Sequence, residues 1–306
     1  MIRCLALNPC MDKLVSCPAF SIDAANRVKP IRSDLGGKAV NVARVLTALG
    51  AKTCLYALDF AGSPVENAMT REGIPHTLIA QSGALRVNLK ILDEEKNAVI
   101  EVNEVGEPTD ARALESLLAA FLSDCQQGDW GVLSGSLAPG MDKALYKELC
   151  LALHEKGCRA AVDCDGEALA LALTAAPDLI KPNRAEFARL TGISDASKWP
   201  EAMRTLNREK SVGLICLSLG RDGAMLCSAD GLCRCAAADV PVLSATGAGD
   251  SMLAGLLYAL EQGKSAAEAL CLASAAAGAS VMRPGTLLCQ REDAMRILPG
   301  LKAEPI

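Results

Sequence analysis

The segment Thr246-Gly247-Ala248-Gly249-Asp250 joins two features that a reaction at a polyanion needs. Two glycines just before an Ala/Leu-rich stretch leave backbone N–H groups uncovered, and the start of a helix adds positive potential. Such a hole suits the charge that spreads over the equatorial oxygens of a phosphoryl group in transfer. Asp250, the carboxylate beside it, could take the proton of an attacking hydroxyl. Taken alone, the same five residues also read as a helix cap without chemistry.

Other segments carry complementary groups. Gly36-Gly37-Lys38 opens a helix, with Lys38 placed for a substrate phosphate and Asn41 one turn further on for sugar hydroxyls. Asp12, in the loop expected after the first strand, could accept hydrogen bonds from two adjacent hydroxyls. Alternation puts Arg86, Asn88 and Lys90 on one face of a strand, a basic and amide-bearing face suited to a phosphosugar. After another short strand, Asn183 and Glu186 could reach Mg²⁺ through its waters, or could cap a helix. Ser218-Leu219-Gly220-Arg221-Asp222-Gly223 is a glycine turn fit for close contact with a nucleotide, or an ordinary β-turn.

The elements that must hold these groups alternate between apolar strands and helices. Strands are expected at 4–7, 53–58, 130–133, 159–163, 178–181 and 213–218, and helices at 39–49, 65–71, 110–122, 143–155, 184–190, 200–207, 248–260 and 266–281. Residues 224–227 and 232–235 read as an antiparallel pair. This pattern predicts a mostly parallel central sheet covered on both faces. In such sheets ligands bind beyond the carboxyl ends of the strands, and the polar and glycine-rich segments follow strands or open helices, so they could converge there. Two stretches break the rhythm. Residues 13–33 and 84–102, the latter with a polar hairpin turn, predict a small discontinuous β-lid. The main α/β nucleotide- and substrate-binding domain is then expected at 1–12, 34–83 and 103–306.

Composition narrows the field. A chain of 306 residues with 51% apolar and 22% charged residues buries a sizeable core, and 3% aromatics make that core aliphatic. The net charge of −5 with no long basic run argues against a nucleic-acid surface. No stretch reaches the length of a membrane span, and the first residues turn polar too soon for a signal peptide, so the cytoplasm is the expected compartment. The 14 cysteines, without a CxxC pair and with only His76 and His154 beside them, read as buried thiols rather than a zinc site. The P-loop and protein-kinase motifs are absent, and Gly36-Gly37-Lys38 does not follow the first strand as a dinucleotide loop would.

Taken in order, these segments resemble the ribokinase-like, or PfkB, family of sugar kinases. The resemblance spans nearly the whole chain and is closest to the 1-phosphofructokinase and tagatose-6-phosphate kinase branch. It rests on Leu7–Asp12, Gly36–Leu46, Arg86–Ile91, Asn103–Gly106, Ser134–Gly140, Lys181–Glu186, Ser218–Gly223 and Thr246–Ser251. It implies a three-layer α/β sandwich with an inserted β-lid, often a dimer through that lid. It implies ATP with Mg²⁺ as cosubstrate and a phosphorylated ketohexose as acceptor. Asp250 would be the general base, with Gly247, Ala248 and Gly249 as the anion hole. Asp12, Gly37, Lys38, Asn41, Arg86, Asn88 and Ser136 would hold the phosphosugar. Lys181, Asn183, Glu186, Ser218, Gly220, Gly223, Ser274 and Gly278 would serve the nucleotide, Glu186 reaching the metal through water. Fructose 1-phosphate is the expected acceptor and tagatose 6-phosphate the alternative; a non-catalytic sugar-phosphate-binding regulator would not need a base at Asp250. The chain departs from the family pattern at Ala39, where a glycine is usual, at Leu85, at Ala138 and at Ser274.

Overall fold

The first apolar run, Ile2–Ala6, is buried along its whole length, as an inner strand must be when layers cover both faces of its sheet. In the computed structural model, which describes residues 1–306, Ile2, Cys4 and Ala6 face one apolar core and Leu5 and Leu7 the other.

In chain order the strands are β1 (Ile2–Ala6), β2 (Cys10–Cys17), β3 (Lys29–Gly36), β4 (Thr53–Phe60), β5 (His76–Gln81), β6 (Arg86–Asp93), β7 (Ala98–Asn103), β8 (Trp130–Ser134), β9 (Arg159–Asp163), β10 (Leu179–Ile180), β11 (Leu214–Ser218), β12 (Ala224–Ser228), β13 (Gly231–Cys235) and β14 (Ala303–Pro305). The helices are α1 (Lys38–Leu49), α2 (Val65–Arg71), α3 (Ala111–Asp124), α4 (Leu145–Glu155), α5 (Gly166–Ala172), α6 (Arg184–Thr191), α7 (Trp199–Lys210), α8 (Ala248–Glu261), α9 (Ala266–Val281) and α10 (Arg291–Ile297).

Ten strands make the larger sheet, in the order β14-β13-β12-β11-β10-β9-β8-β1-β4-β5. From β11 to β5 every pair is parallel, and β12, β13 and β14 close the far edge antiparallel. Helices α1, α2, α8, α9 and α10 supply side chains to the core on one face, and α3 to α7 to the core on the other. This is the expected three-layer α/β sandwich.

The second sheet has the order β3-β2-β6-β7, with β2 and β6 parallel and the two outer pairs antiparallel. Its strands reach further than the sequence pattern suggests. β2 begins at Cys10 and β3 ends at Gly36, so Asp12 lies within a strand of the second sheet and not in a loop of the main body. The reason is pairing: Asp12 sits opposite Asn88 on β6 and Asp34 on β3, which a view of the chain alone does not reveal. Ala39, in place of the family's glycine, is buried inside the first turn of α1, where a methyl group packs without strain. Eleven of the 14 cysteines are buried and all are free thiols. No helix is long and apolar enough to cross a membrane.

Candidate active site

The parallel register of β2 and β6 builds one wall of the site. It sets Cys10 against Arg86, Asp12 against Asn88 and Leu14 against Lys90. Asn88 Nδ2 donates to Asp12 Oδ1 at 3.0 Å and Arg86 Nη1 donates to Asn88 Oδ1 at 2.8 Å, forming a chain of oriented polar groups. Arg86 also donates through Nε and Nη2 to the Asn8 carbonyl at 3.1 and 3.0 Å and through Nη1 to that of Glu104 at 3.1 Å. Asn8 in turn donates to Ser136 Oγ at 3.2 Å, which brings the loop after β8 to the same wall. A Cβ on Gly36 would lie 2.3 Å from Asp12 Oδ2, so only glycine lets this carboxylate sit against the turn into α1. Gly37 follows and serves as the N-cap of α1.

Opposite stands the amino end of α8. Gly247 caps it with φ 72°, in the left-handed region that favours glycine, and a Cβ there would meet Leu288 at 2.2 Å. The first-turn N–H groups of Gly249 and Asp250 lack acceptors in the chain, as helix starts do, whereas that of Ala248 donates to the Ala245 carbonyl at 3.4 Å; of the three residues expected to form the anion hole, Gly249 leaves its N–H open, with Asp250 next to it. Asp250, 8% exposed, accepts a 2.7 Å hydrogen bond from Asn41 Nδ2 of α1. Burial pushes its carboxyl up, the charge of Asp163 adds to the push, and Asn41, Lys38 and Lys181 oppose it; the result is about 6. A carboxyl tuned this way exchanges a proton near neutral pH, which is what a general base does.

The third group gathers at the carboxyl ends of β9 and β10. Asp163, buried at the end of β9, lies 3.2 Å from Lys38 Nζ and 3.5 Å from Lys181 Nζ. Burial raises its carboxyl, and the two ammonium groups outweigh that and hold it below the usual range. Lys38 is held charged chiefly by Asp163, with Glu186 3.9 Å away. Lys38, expected at the sugar's phosphate, instead has its ammonium between Asp163 and Glu186, the second of which was expected on the nucleotide side. A Cβ on Gly249 would sit 3.3 Å from Lys181 Nζ, so that ammonium borders the anion hole. Asn183 and Glu186 form a reciprocal capping box at the start of α6. Their structural role is therefore real, and Glu186 Oε1 remains turned toward Lys38. No cluster of three or more metal-ligating side chains is present; two carboxylates, Asp163 and Glu186, flank Lys38. That donor set fits Mg²⁺ brought in on a nucleotide's phosphates, which needs only one or two protein carboxylates.

Beyond the anion hole opens a cavity of about 840 Å³ between β11, the 237–245 loop and helices α8 and α9. Asn183, Ser218, Gly220, Gly223, Ala248, Gly249, Ser274 and Gly278 all line it, while Lys181 and Glu186 stand outside its wall. Half of its lining is apolar, Val240, Val242 and Val281 included, a suitable bed for a flat base. The Ser274 hydroxyl is buried there without a partner. Gly278 allows close approach, because a Cβ would come within 2.7 Å of Ala238.

Hydrogen bonds thus link Asp12, Asn88 and Arg86, and through Asn8 Ser136; Asn41 joins Asp250, Lys38 joins Asp163 and Glu186, and the cavity lies on the far side of Gly249. One group without an expected role, Asp163, joins these residues, beside Lys90, which was expected on the phosphosugar face of β6. Asp163 was legible only as the polar end of a strand. Lys90 reaches across from the second sheet, 3.4 Å from Thr246 Oγ1 and 4.0 Å from Asp12 Oδ2.

A buried carboxyl beside a helix start, set between a polar wall and a cavity of about 840 Å³, is an arrangement suited to group transfer between two substrates. Solved structures share the whole fold. Phosphofructokinase-2 from Escherichia coli in complex with substrates and products superposes with a TM-score of 0.92 at 24% identity, over 98% of both chains. A possible 1-phosphofructokinase from Thermotoga maritima gives 0.85 at 19% identity, over 100% of this chain and 99% of the other. The model of the pfkB family carbohydrate kinases matches residues 5–293, so the chain belongs to that family and is an ATP-dependent sugar kinase. Among curated relatives, the 1-phosphofructokinase of Rhodobacter capsulatus is 36% identical over 291 residues, 90% of this chain and 88% of the relative. That of Escherichia coli K12 is 29% identical over 99% of this chain and 98% of the relative.

Proposed function

We propose that the protein transfers the γ-phosphoryl group of ATP to the free 6-hydroxyl of fructose 1-phosphate, giving fructose 1,6-bisphosphate and ADP. The observation that carries the chemistry is the Asp250 carboxyl, buried at the mouth of the anion hole and pushed up to about 6. The relatives named 1-phosphofructokinase support the choice of sugar.

In this reading Asp12, Asn88 and Asn41 orient the sugar hydroxyls, with Gly37 and Ser136 at its edges and Arg86 fixing the wall. Asp250 takes the proton of the attacking hydroxyl as the new P–O bond forms, and the bond from the γ-phosphorus to the β–γ bridging oxygen breaks. The Gly247–Asp250 turn, through the open N–H groups of Gly249 and Asp250 and with Lys181 beside them, holds the equatorial oxygens, and ADP leaves through the cavity. Lys38, Asp163 and Glu186 would hold Mg–ATP at its phosphates, where Mg²⁺ supplies charge neutralisation. Asn183, Ser218, Gly220, Gly223, Ser274 and Gly278 would seat the nucleoside.

Two copies would pair through the second sheet. Ile31 on β3 and Val99 and Val102 on β7 are exposed on its outer strands, and unpaired edges of this kind seek partners. Eleven buried thiols suit a reducing compartment, the cytoplasm.

The test is ADP release with Mg²⁺ and four acceptors: fructose 1-phosphate, tagatose 6-phosphate, fructose 6-phosphate and fructose. The highest kcat/KM is expected with fructose 1-phosphate. Preference for tagatose 6-phosphate would transfer the same constellation to that sugar, and no turnover of any phosphosugar would sink the reading.

A further inference from the structure

The sequence places three cations, Lys38, Arg86 and Lys90, where a phosphate could meet them, and the structure leaves them in different states. Arg86 spends four hydrogen bonds on Asn8, Asn88 and Glu104. Lys38 is neutralised between Asp163 and Glu186. Lys90 is different. Its side chain is 9% exposed, yet its ammonium makes one long hydrogen bond, 3.4 Å to Thr246 Oγ1, and stands 4.0 Å from Asp12 Oδ2. An ammonium carries three donors, and burying it with donors unfilled is costly. An oxygen entering between Asp12 and Thr246 would fill those donors in place of water. There, the second sheet meets the residue that leads into the anion hole.

We propose that Lys90 is a binding site for an anionic phosphoryl oxygen, filled only when substrate is present. This deepens the kinase reading and rests on it. The oxygen has two possible sources, the phosphate the sugar already carries or the phosphoryl group in transit, and the kinetics tell them apart. Lys90 would also tie the second sheet to the start of α8, because one ammonium then touches Asp12, Thr246 and substrate together.

The test compares Lys90→Met and Lys90→Arg with the wild type. If the sugar's own phosphate is the ligand, Lys90→Met raises the KM for fructose 1-phosphate about 10- to 100-fold, the range for a hydrogen bond to a charged group, and leaves that for ATP unchanged. If the transferred group is the ligand, kcat falls by that factor at constant KM. Lys90→Arg recovers part of either loss. A purely structural lysine would lower the melting temperature without this split. Kinetic constants all within about twofold of the wild type would overturn the proposal, twofold being ~0.4 kcal/mol. Should Lys90→Met not fold, ¹⁵N-lysine-labelled wild type decides: fructose 1-phosphate with ADP must shift the Lys90 Nζ resonance, assigned by its loss in Lys90→Arg. If the wild type turns over no phosphosugar, the kinase reading fails separately. Inorganic phosphate added to the ligand-free protein must then still shift that resonance, and silence there overturns the Lys90 site itself.

Discussion

Asp250 carries a charge that its surroundings disfavour, and this has consequences for both rate and stability. Its carboxyl is raised to about 6, so as a base it is lost below that pH. The kcat of the enzyme is expected to rise with pH through about 6 and then level off; a flat profile between pH 5 and 8 would remove Asp250 from the rate equation. For stability the sign is opposite. A raised carboxyl favours folding while it is protonated, and that advantage disappears as pH climbs from the unfolded value through about 6. Two pKa units correspond to on the order of 3 kcal/mol. Asp250→Asn keeps an acceptor for Asn41, so it should cut kcat by about 10²–10⁴-fold while raising the melting temperature at pH 8 more than at pH 5. Thermal melts at the two pH values check this, and a variant less stable at pH 8 contradicts it. Glu186 allows a similar separation of roles. Glu186→Gln keeps an oxygen for the capping box but loses the charge that faces Lys38. Stability should stay within about 0.5 kcal/mol, while the Mg²⁺ concentration giving half-maximal rate rises about tenfold. An unchanged Mg²⁺ titration would leave Glu186 as a cap only.

At the scale of elements, periodicity revealed most helices because their apolar faces are long; Val65–Arg71 and Ala266–Val281 follow the pattern to the residue. What it missed is short or mixed in polarity. β5 reads His-Thr-Leu-Ile-Ala-Gln, β14 has three residues at an edge, and α5 is a single Ala/Leu-rich stretch of seven. The site was legible as a set of residues but not as a set of distances. Asp12 looked like a loop carboxylate because its neighbours, Asn88 and Gly36, are far along the chain. The position of Lys38 beside Asp163 depends on the meeting of α1 and β9, which no local signal encodes. Gly36 shows how an element junction can set affinity. In Gly36→Ala the new methyl group would displace the Asp12 carboxylate that it overlaps. The KM for fructose 1-phosphate should rise at least about tenfold, a loss of ~1.4 kcal/mol, with the KM for ATP little changed. Equal rises in both would mean that the whole α1 entry had moved instead.

The whole molecule consists of a thick three-layer body and a thin sheet that cannot bury both of its own faces. The small core of that sheet, Val15, Cys17 and Ile91, lies between β2 and β6. The sheet touches the body at few polar points, among them Thr286 with Asp34 and Lys90 with Thr246. Its outer strands have no such support. Five of the six residues of β7 are exposed, as are the first five of β3, with Ile31, Val99 and Val102 each more than half exposed. A two-sided sheet with apolar outer strands is stable when something covers it, and a second copy offers the same strands in return. Lys29 on β3 and Glu101 on β7 are exposed and of opposite sign, while Arg32 pairs with Asp34 on its own strand. Sedimentation at micromolar concentration should therefore give twice the chain mass, and Val99→Glu with Val102→Glu should give the monomer. Because Asp12, Asn88 and Lys90 ride on the same sheet, the monomer should also bind fructose 1-phosphate less well at low protein concentration while its nucleotide cavity is unaffected. A wild type that sediments as a monomer at every concentration, with full activity, would show that this sheet is held by the body alone.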